Sequence, residues 1–254
     1  MRENEKNGDI CMKRLFCLIL FGCMLLTACG PAASDDSQTD TTASETEVTL
    51  EGKKLIALTI DDGPNNGVMP YVLDVLEAEN VSATFFLVGK NITENNKKVI
   101  LRAKDLGCEF GNHSYCHEKM TEKSVDEIIN DYEKTQNLIK EITGEEPIYY
   151  RPPFLAYNGT LAQNIASPMI GGYMFSDWEE DITKEDIMME MYKVAKDGAI
   201  FLLHCTSYTT VEALEEIIPM FREEGYEFVT LSTLLEMKGV TPEAHNGTLY
   251  KNIG

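Results

Sequence analysis

Short apolar runs and longer amphipathic stretches alternate along most of the chain. "LIALTI" (55–60), "ATFFLV" (83–88), "CEFG" (108–111), "PIYY" (147–150), "GYMFS" (172–176), "AIFLLH" (199–204) and "YEFVTL" (226–231) are too short for helices and are predicted to be strands. Between them, residues 68–79, 96–106, 124–142, 184–196 and 210–224 place apolar side chains at helical spacing. Alternation of this kind predicts parallel β/α units, an α/β fold. The stretch 50–238 contains no second linker and reads as a single domain. Its length suits a closed or nearly closed barrel better than an open, two-sided sheet.

Both ends depart from the pattern. Lys13 and Arg14 precede an apolar run from Leu15 to Leu26, followed by Thr27, Ala28, Cys29 and Gly30. A basic start, a short apolar core and small residues at its end make a secretory signal. The run is too short for a membrane span, which needs about 20 residues. Leu26-Thr27-Ala28-Cys29 resembles a bacterial lipobox, so residues 1–28 are expected to be a lipoprotein signal peptide and Cys29 the lipidated first residue. The protein is then expected at the extracytoplasmic face of the cell membrane. Residues 29–49 hold few apolar side chains and read as a disordered tether. Residues 239–254 read as a short, loosely attached tail.

Composition adds two constraints. With a formal charge of −20 the chain has no attraction for nucleic acid or anionic headgroups, and it favours neutral or cationic partners only modestly. Of seven cysteines, Cys11, Cys17 and Cys23 leave with the signal and Cys29 takes lipid. The remaining three, Cys108, Cys116 and Cys205, are an odd number and imply no complete disulfide framework. Free thiols outside a membrane point to a poorly oxidising surrounding.

The chemistry sits where the predicted strands end. Asp61 and Asp62 follow the first, Asn112, His113 and His117 the third, Arg151 the fourth, Asp177 and Trp178 the fifth, and His204 ends the sixth. Three of the chain's four histidines belong to this set. In a β/α barrel the C-terminal strand ends converge on one face, where active sites are built. His113 and His117, four residues apart, are predicted on one side of a helical turn. With an aspartate from a neighbouring strand they make a two-histidine, one-carboxylate metal site with open coordination positions. Zinc is the default for such a set, although iron oxygenases share it. One aspartate of the pair can then bind metal while the other, kept ionised by the metal's charge, accepts a proton. Arg151 suits either a structural ion pair or the fixing of an aspartate. His204 is either a core histidine or, with Asp177 holding one ring nitrogen, a general acid. Trp178 is packing or pocket wall, and Glu179–Asp181 a solvated loop. Cys116 and Cys205 lack a free base to activate them and are not expected to be nucleophiles.

Five ordered segments, "TIDDGP" (59–64), "HSYCH" (113–117), "RPPF" (151–154), "SDW" (176–178) and "LLH" (202–204), make the chain resemble the polysaccharide deacetylases, the NodB-homology group or carbohydrate esterase family four. The resemblance runs from about Leu55 to Leu231. It implies a distorted (β/α) barrel of about seven parallel strands, and hydrolysis of acetyl groups on a polysaccharide. The substrate is acetylxylan on the ester side, or chitin or peptidoglycan on the amide side. It also implies a divalent metal, zinc or cobalt among others, and a monomer. By the same resemblance Asp61 is the catalytic base, held by Arg151, and Asp62, His113 and His117 are metal ligands. His204 is the acid, tuned by Asp177, and Phe154, Trp178 and Leu202 line the acetyl pocket. The chain departs from the family pattern at Ile60, Phe154, Met174 and Cys205, none a principal catalytic position. "RPPFLAYNGT" and "GGYMFSDW" resemble the xylan-esterase branch more than the chitin one. Two other readings stand beside this: a non-catalytic carbohydrate-binding lipoprotein on the same barrel, and a metal-binding transport lipoprotein.

Overall fold

The computed structural model describes residues 50–254. The expected signal peptide, the tether and Cys29 lie outside the described residues.

Strand β1 (Lys54–Gly63) is the spine, and Leu55 to Leu58 and Ile60 are buried on both of its faces. Such a continuous apolar run suits a strand covered on both sides. One edge of β1 pairs with β6 (Ala199–His204) from Ile56 to Asp61. The other edge is divided: Lys54–Ala57 pair with β7 (Tyr226–Val229), and Thr59–Gly63 with β2 (Thr84–Leu87). From β2 the ring continues through β3 (Glu109–Asn112) to single rungs at Tyr150, then β4 (Met169–Ile170). Two glycines later β5 (Tyr173–Met174) pairs with β6. All these strand pairs are parallel, and the result is the expected distorted (β/α) barrel.

The outer layer is helical: α1 (Met69–Ala78), α2 (Lys97–Asp105), α3 (Val125–Thr143), α4 (Gly159–Asn164), α5 (Lys184–Val194), α6 (Tyr208–Glu223) and α7 (Leu231–Met237). The five helices expected from periodicity are α1, α2, α3, α5 and α6. Helix α3 starts with a Ser124–Glu127 capping box and ends at Gly144 in the left-handed conformation, so both ends are satisfied locally. Leu73, Leu76, Leu214, Ile217 and Phe221 turn inward onto the sheet, where Phe201, Phe221 and Phe228 cluster with ring centroids 5.8–6.1 Å apart. Among the described residues no helix is long and apolar enough to cross a membrane.

The structure corrects four expectations. "PIYY" contributes only Tyr150, because Pro152 and Pro153 follow at once and lack the N–H groups that would extend a ladder. "GYMFS" shrinks to Tyr173–Met174. "YEFVTL" stops at Val229, and Thr230 caps a helix, α7, that the apolar run had concealed. The segment 239–254 is not a loose tail. Its β8 (Leu249–Tyr250) pairs with β4, Gly171 donates its N–H to Tyr250 O at 2.7 Å, and Ile253 is buried. Ile253 also donates its N–H to Gly198 O at 2.7 Å. Gly198 has φ +88°, and a Cβ there would lie 1.9 Å from Ile253 O, so only glycine admits this docking.

Candidate active site

Asp61 ends the spine strand and is buried. Its Oδ1 accepts a hydrogen bond from Arg151 Nη1 at 2.7 Å. Arg151 is itself fully buried, with the guanidinium 4.0 Å from the centre of the Phe86 ring. It donates further bonds to Thr59 Oγ1 (2.8 Å), Ile170 O (3.2 Å) and Gly171 O (2.7 Å). Burial pulls the guanidinium pKa downward against the field of Asp61, yet arginine remains charged in proteins. A buried cation with four hydrogen bonds fixes the position of its carboxylate.

Asp62, His113 and His117 form the second group, with one ligating atom from each within 4.8 Å of the others. His113 Nδ1 lies 2.8 Å from Arg151 O and must donate to it, so Nε2 keeps its lone pair toward the carboxylates. That Nε2 is 3.6 Å from both Asp61 Oδ2 and Asp62 Oδ1. Burial drives His113 toward the neutral form despite both aspartates, which is the ligating form. Burial pushes the Asp62 carboxyl upward, but His117, His113 and His204 outweigh burial and hold it at about 2. Among the described residues, Asp62 Oδ1 is the one buried side-chain oxygen or nitrogen without a hydrogen bond; His117 Nε2, at 3.1 Å, does not complete one. An ionised oxygen left orphaned beside two imidazoles is what a divalent cation satisfies, and the donor set fits zinc or a similar ion.

The two histidines do not share a helical turn, as their spacing led us to expect. Residues 113–117 form a loop in which Ser114 (φ 63°) and His117 (φ 55°) are left-handed. Asn112 Oδ1 accepts from Ser114 N, Ser114 Oγ from His117 N, and the Asp131 carboxylate of α3 from Tyr115 N (2.7 Å) and Cys116 N (3.0 Å). Gly89 N donates to Ser114 O at 2.9 Å, and a Cβ at Gly89 would meet Thr135 Oγ1 at 2.5 Å. The loop therefore needs glycine beneath it.

Across the cleft, His204 Nδ1 lies 2.8 Å from Asp177 Oδ1. Asp177 is completely buried and also accepts from His204 N (2.7 Å) and Thr210 Oγ1 (2.9 Å). Burial works to lower the His204 pKa, but the bond and charge of Asp177 prevail and raise it. The imidazole is thus held in one orientation and favoured in its protonated form, the requirements of a general acid.

These groups border one cleft of about 410 Å³, walled by Phe154, Trp178, Met174 and Leu202. Phe154 and Trp178 are 59% and 58% exposed, which excludes core packing as their role. The Phe154 ring sits 4.9 Å from that of His117. Five of the seven described non-glycine residues with positive φ lie here: Asp62, Ser114, His117, Phe154 and Leu155. Left-handed backbone at non-glycine residues is costly and concentrates at functional sites. Cys108, Cys116 and Cys205 are free thiols. Burial pushes Cys108 up to about 11 and Cys205 higher still, and Cys205 donates to Asp61 O, so neither resembles a nucleophile.

Every residue expected at the site is in or beside this cleft. Thr59, Asp131 and Thr210, which hold Arg151, the histidine loop and Asp177, were not foreseen. Isolated polar residues within apolar strands and helices leave no spacing signal. Thr59 alone offered a hint, as a buried-strand position carrying a hydroxyl two residues before Asp61.

Comparison with known proteins agrees with the geometry. The model of a family described as polysaccharide deacetylase matches residues 50–168. The chain is 40% identical over 223 residues to a bifunctional xylanase/deacetylase of Pseudobutyrivibrio xylanivorans, covering 87% of this chain and 37% of that protein. It is 38% identical over 184 residues to a peptidoglycan-N-acetylglucosamine deacetylase of Listeria monocytogenes, covering 71% and 39%. The chain thus spans well under half the length of these curated relatives. A family 4 acetyl xylan esterase from Clostridium thermocellum, solved with a cobalt ion, superposes with a TM-score of 0.77 at 37% identity, over 79% of this chain and 99% of that one. On these matches and the barrel they share, the chain belongs to the polysaccharide deacetylase family.

Proposed function

We propose that the protein is a lipid-anchored, metal-dependent hydrolase that removes acetyl groups from a polysaccharide. The observation that carries this is the pairing of Asp61 with Arg151 beside an Asp62–His113–His117 ligand set, with the Asp177–His204 pair across the same cleft. A carbohydrate-binding or metal-carrying protein has no use for all three together.

When bound by Asp62, His113 and His117, a divalent ion supplies Lewis acidity, lowering the pKa of water and polarising an acyl carbonyl. Asp61, oriented by Arg151, takes the proton of the water that attacks the acetyl carbon. The backbone N–H of Phe154, in its left-handed turn at the cleft wall, donates to the oxygen as it becomes negative. His204 protonates the departing oxygen or nitrogen, while Asp177 holds its other ring nitrogen and stabilises the charged ring until the proton leaves. Phe154, Trp178 and Leu202 shape the pocket around the acetyl methyl. We assign zinc as the metal, with cobalt able to replace it.

The relative named as a xylanase/deacetylase and the neighbour named as an acetyl xylan esterase support O-acetylated xylan as substrate. The test is acetate release from acetylxylan, chitin oligomers and peptidoglycan, with and without chelator. Release from acetylxylan that the chelator stops is the expected result, and chelator-insensitive release would sink the metal assignment. The lipid anchor rests on the lipobox at Cys29. Cys29→Ala should move the protein from the membrane to the soluble fraction. Retention in the membrane would mean an uncleaved signal holds it.

A further inference from the structure

The cleft is not the only cavity that touches Asp62 and His117. A second, more open groove of about 490 Å³ starts at the same two residues and runs over the loops that follow β1, β2 and β6. Most of its polar groups are already committed. Asn65 Oδ1 accepts from Gly67 N, Val68 N and Met69 N at 2.7–3.2 Å, and its Nδ2 donates to Cys205 O at 2.7 Å. Asn91 Nδ2 donates to Asp62 O at 3.2 Å. These amides build the loops and have little left for a ligand.

Two groups are left over. Lys90 is exposed, donates one hydrogen bond, to Cys116 O at 2.8 Å, and forms no ion pair among the described residues. The nearby Glu118 carboxylate pairs instead with Lys123. Thr206 is exposed and its hydroxyl makes no hydrogen bond among the described residues. Among the described residues no other lysine or arginine lines either cavity. In a chain of formal charge −20, half of the other surface cations among the described residues are used in ion pairs with carboxylates of the chain itself. An ammonium with two free N–H groups, in one groove with an uncommitted hydroxyl and with Asp62 and His117, selects for an anion carried on the substrate.

We propose that this groove seats the sugar next to the one being deacetylated, and that Lys90 takes a carboxylate borne by that sugar while Thr206 meets a neighbouring hydroxyl. The inference rests on the deacetylase reading above and adds to it a preference for acidic, carboxylate-bearing polysaccharide. Two sources have this chemistry: uronic acid branches on xylan, and the lactyl or peptide carboxylates of muramic acid in peptidoglycan.

The test reads binding without turnover, by calorimetry on the metal-loaded protein. The ligands are deacetylated xylooligosaccharides with and without a glucuronosyl branch, and peptidoglycan glycan fragments with free and with methyl-esterified carboxylates. Acidic ligands should bind about tenfold more tightly than neutral ones of equal length. Lys90→Met should erase that ratio, Lys90→Arg should keep it, and added salt should shrink it. A preference in one arm only supports the groove and names its source. Equal binding of acidic and neutral ligands, or a preference that survives Lys90→Met, overturns it. A protein that keeps the preference but releases no acetate overturns the deacetylase reading instead, so the two failures are distinct.

Discussion

One set of polar groups around the cleft, its saturated side in hydrogen-bond terms, finds its partners within the protein. Arg151 spends four hydrogen bonds on Asp61, Thr59, Ile170 O and Gly171 O, and Asp177 accepts three. In the other, deficient set, Asp62 Oδ1 is buried with no hydrogen bond among the described residues, and His113 and His117 turn their Nε2 atoms toward it. Adjacent residues of one strand thus belong to opposite designs. The saturated side holds groups that must act without moving, whereas the deficient side is completed only by something from outside. Placement of a catalytic group and creation of a ligand site therefore need opposite hydrogen-bond accounting.

The comparison can be broken most forcefully on the deficient side. His113→Ala removes one of the three proposed ligands, and metal content and acetate release should vanish together. Full activity in a metal-depleted variant would show that the orphaned oxygen has another purpose. Asp61→Asn tests the saturated side at its business end. Metal content should persist while kcat falls at least roughly 10²-fold. Loss of metal in that variant would mean that the roles of Asp61 and Asp62 are exchanged.

Arg151→Met tests whether saturation matters for stability as well as placement. It leaves Asp61 buried and unpaired and two carbonyls without donors, and should cost about 3–5 kcal/mol in denaturant unfolding. A cost under about 1 kcal/mol would show that the network is dispensable. The smallest effect sharpens the comparison through pH. His204 is raised by Asp177, so the acid form is present below its folded pKa and is lost as pH rises through it. Asp177→Asn removes that support, and the alkaline limb of kcat/KM on an amide substrate should move to lower pH. An unmoved limb would assign it to another group.

Much of the site was legible in the sequence because its members follow apolar runs directly. Asp61, Arg151, Asp177 and His204 each mark a strand end, and the barrel rule gathers strand ends in one place. The conformation of the histidine loop was not legible. A spacing of four suits a helix, but it also suits a loop folded by two left-handed residues, and Ser114 and His117 carry no signature of that. Strands β4 and β8 have two residues each, too few for any period to show. Helix α7 was masked because Thr230 alone separates it from an equally apolar strand, with no glycine or proline between them.

The docked C-terminal segment sets a timetable. Ile170 and Gly171 supply two of the carbonyls that seat Arg151, and the strand that flanks them is Leu249–Tyr250. That strand is made after Asp61, Asp62, His113, His117, Arg151, Asp177 and His204, and domains begin to fold while synthesis is still under way. The emerging chain therefore carries its whole reactive set before the brace behind Arg151 exists. A chain that stopped at Gly239 would read as complete by its motifs and still lack the last support of the arginine that holds Asp61.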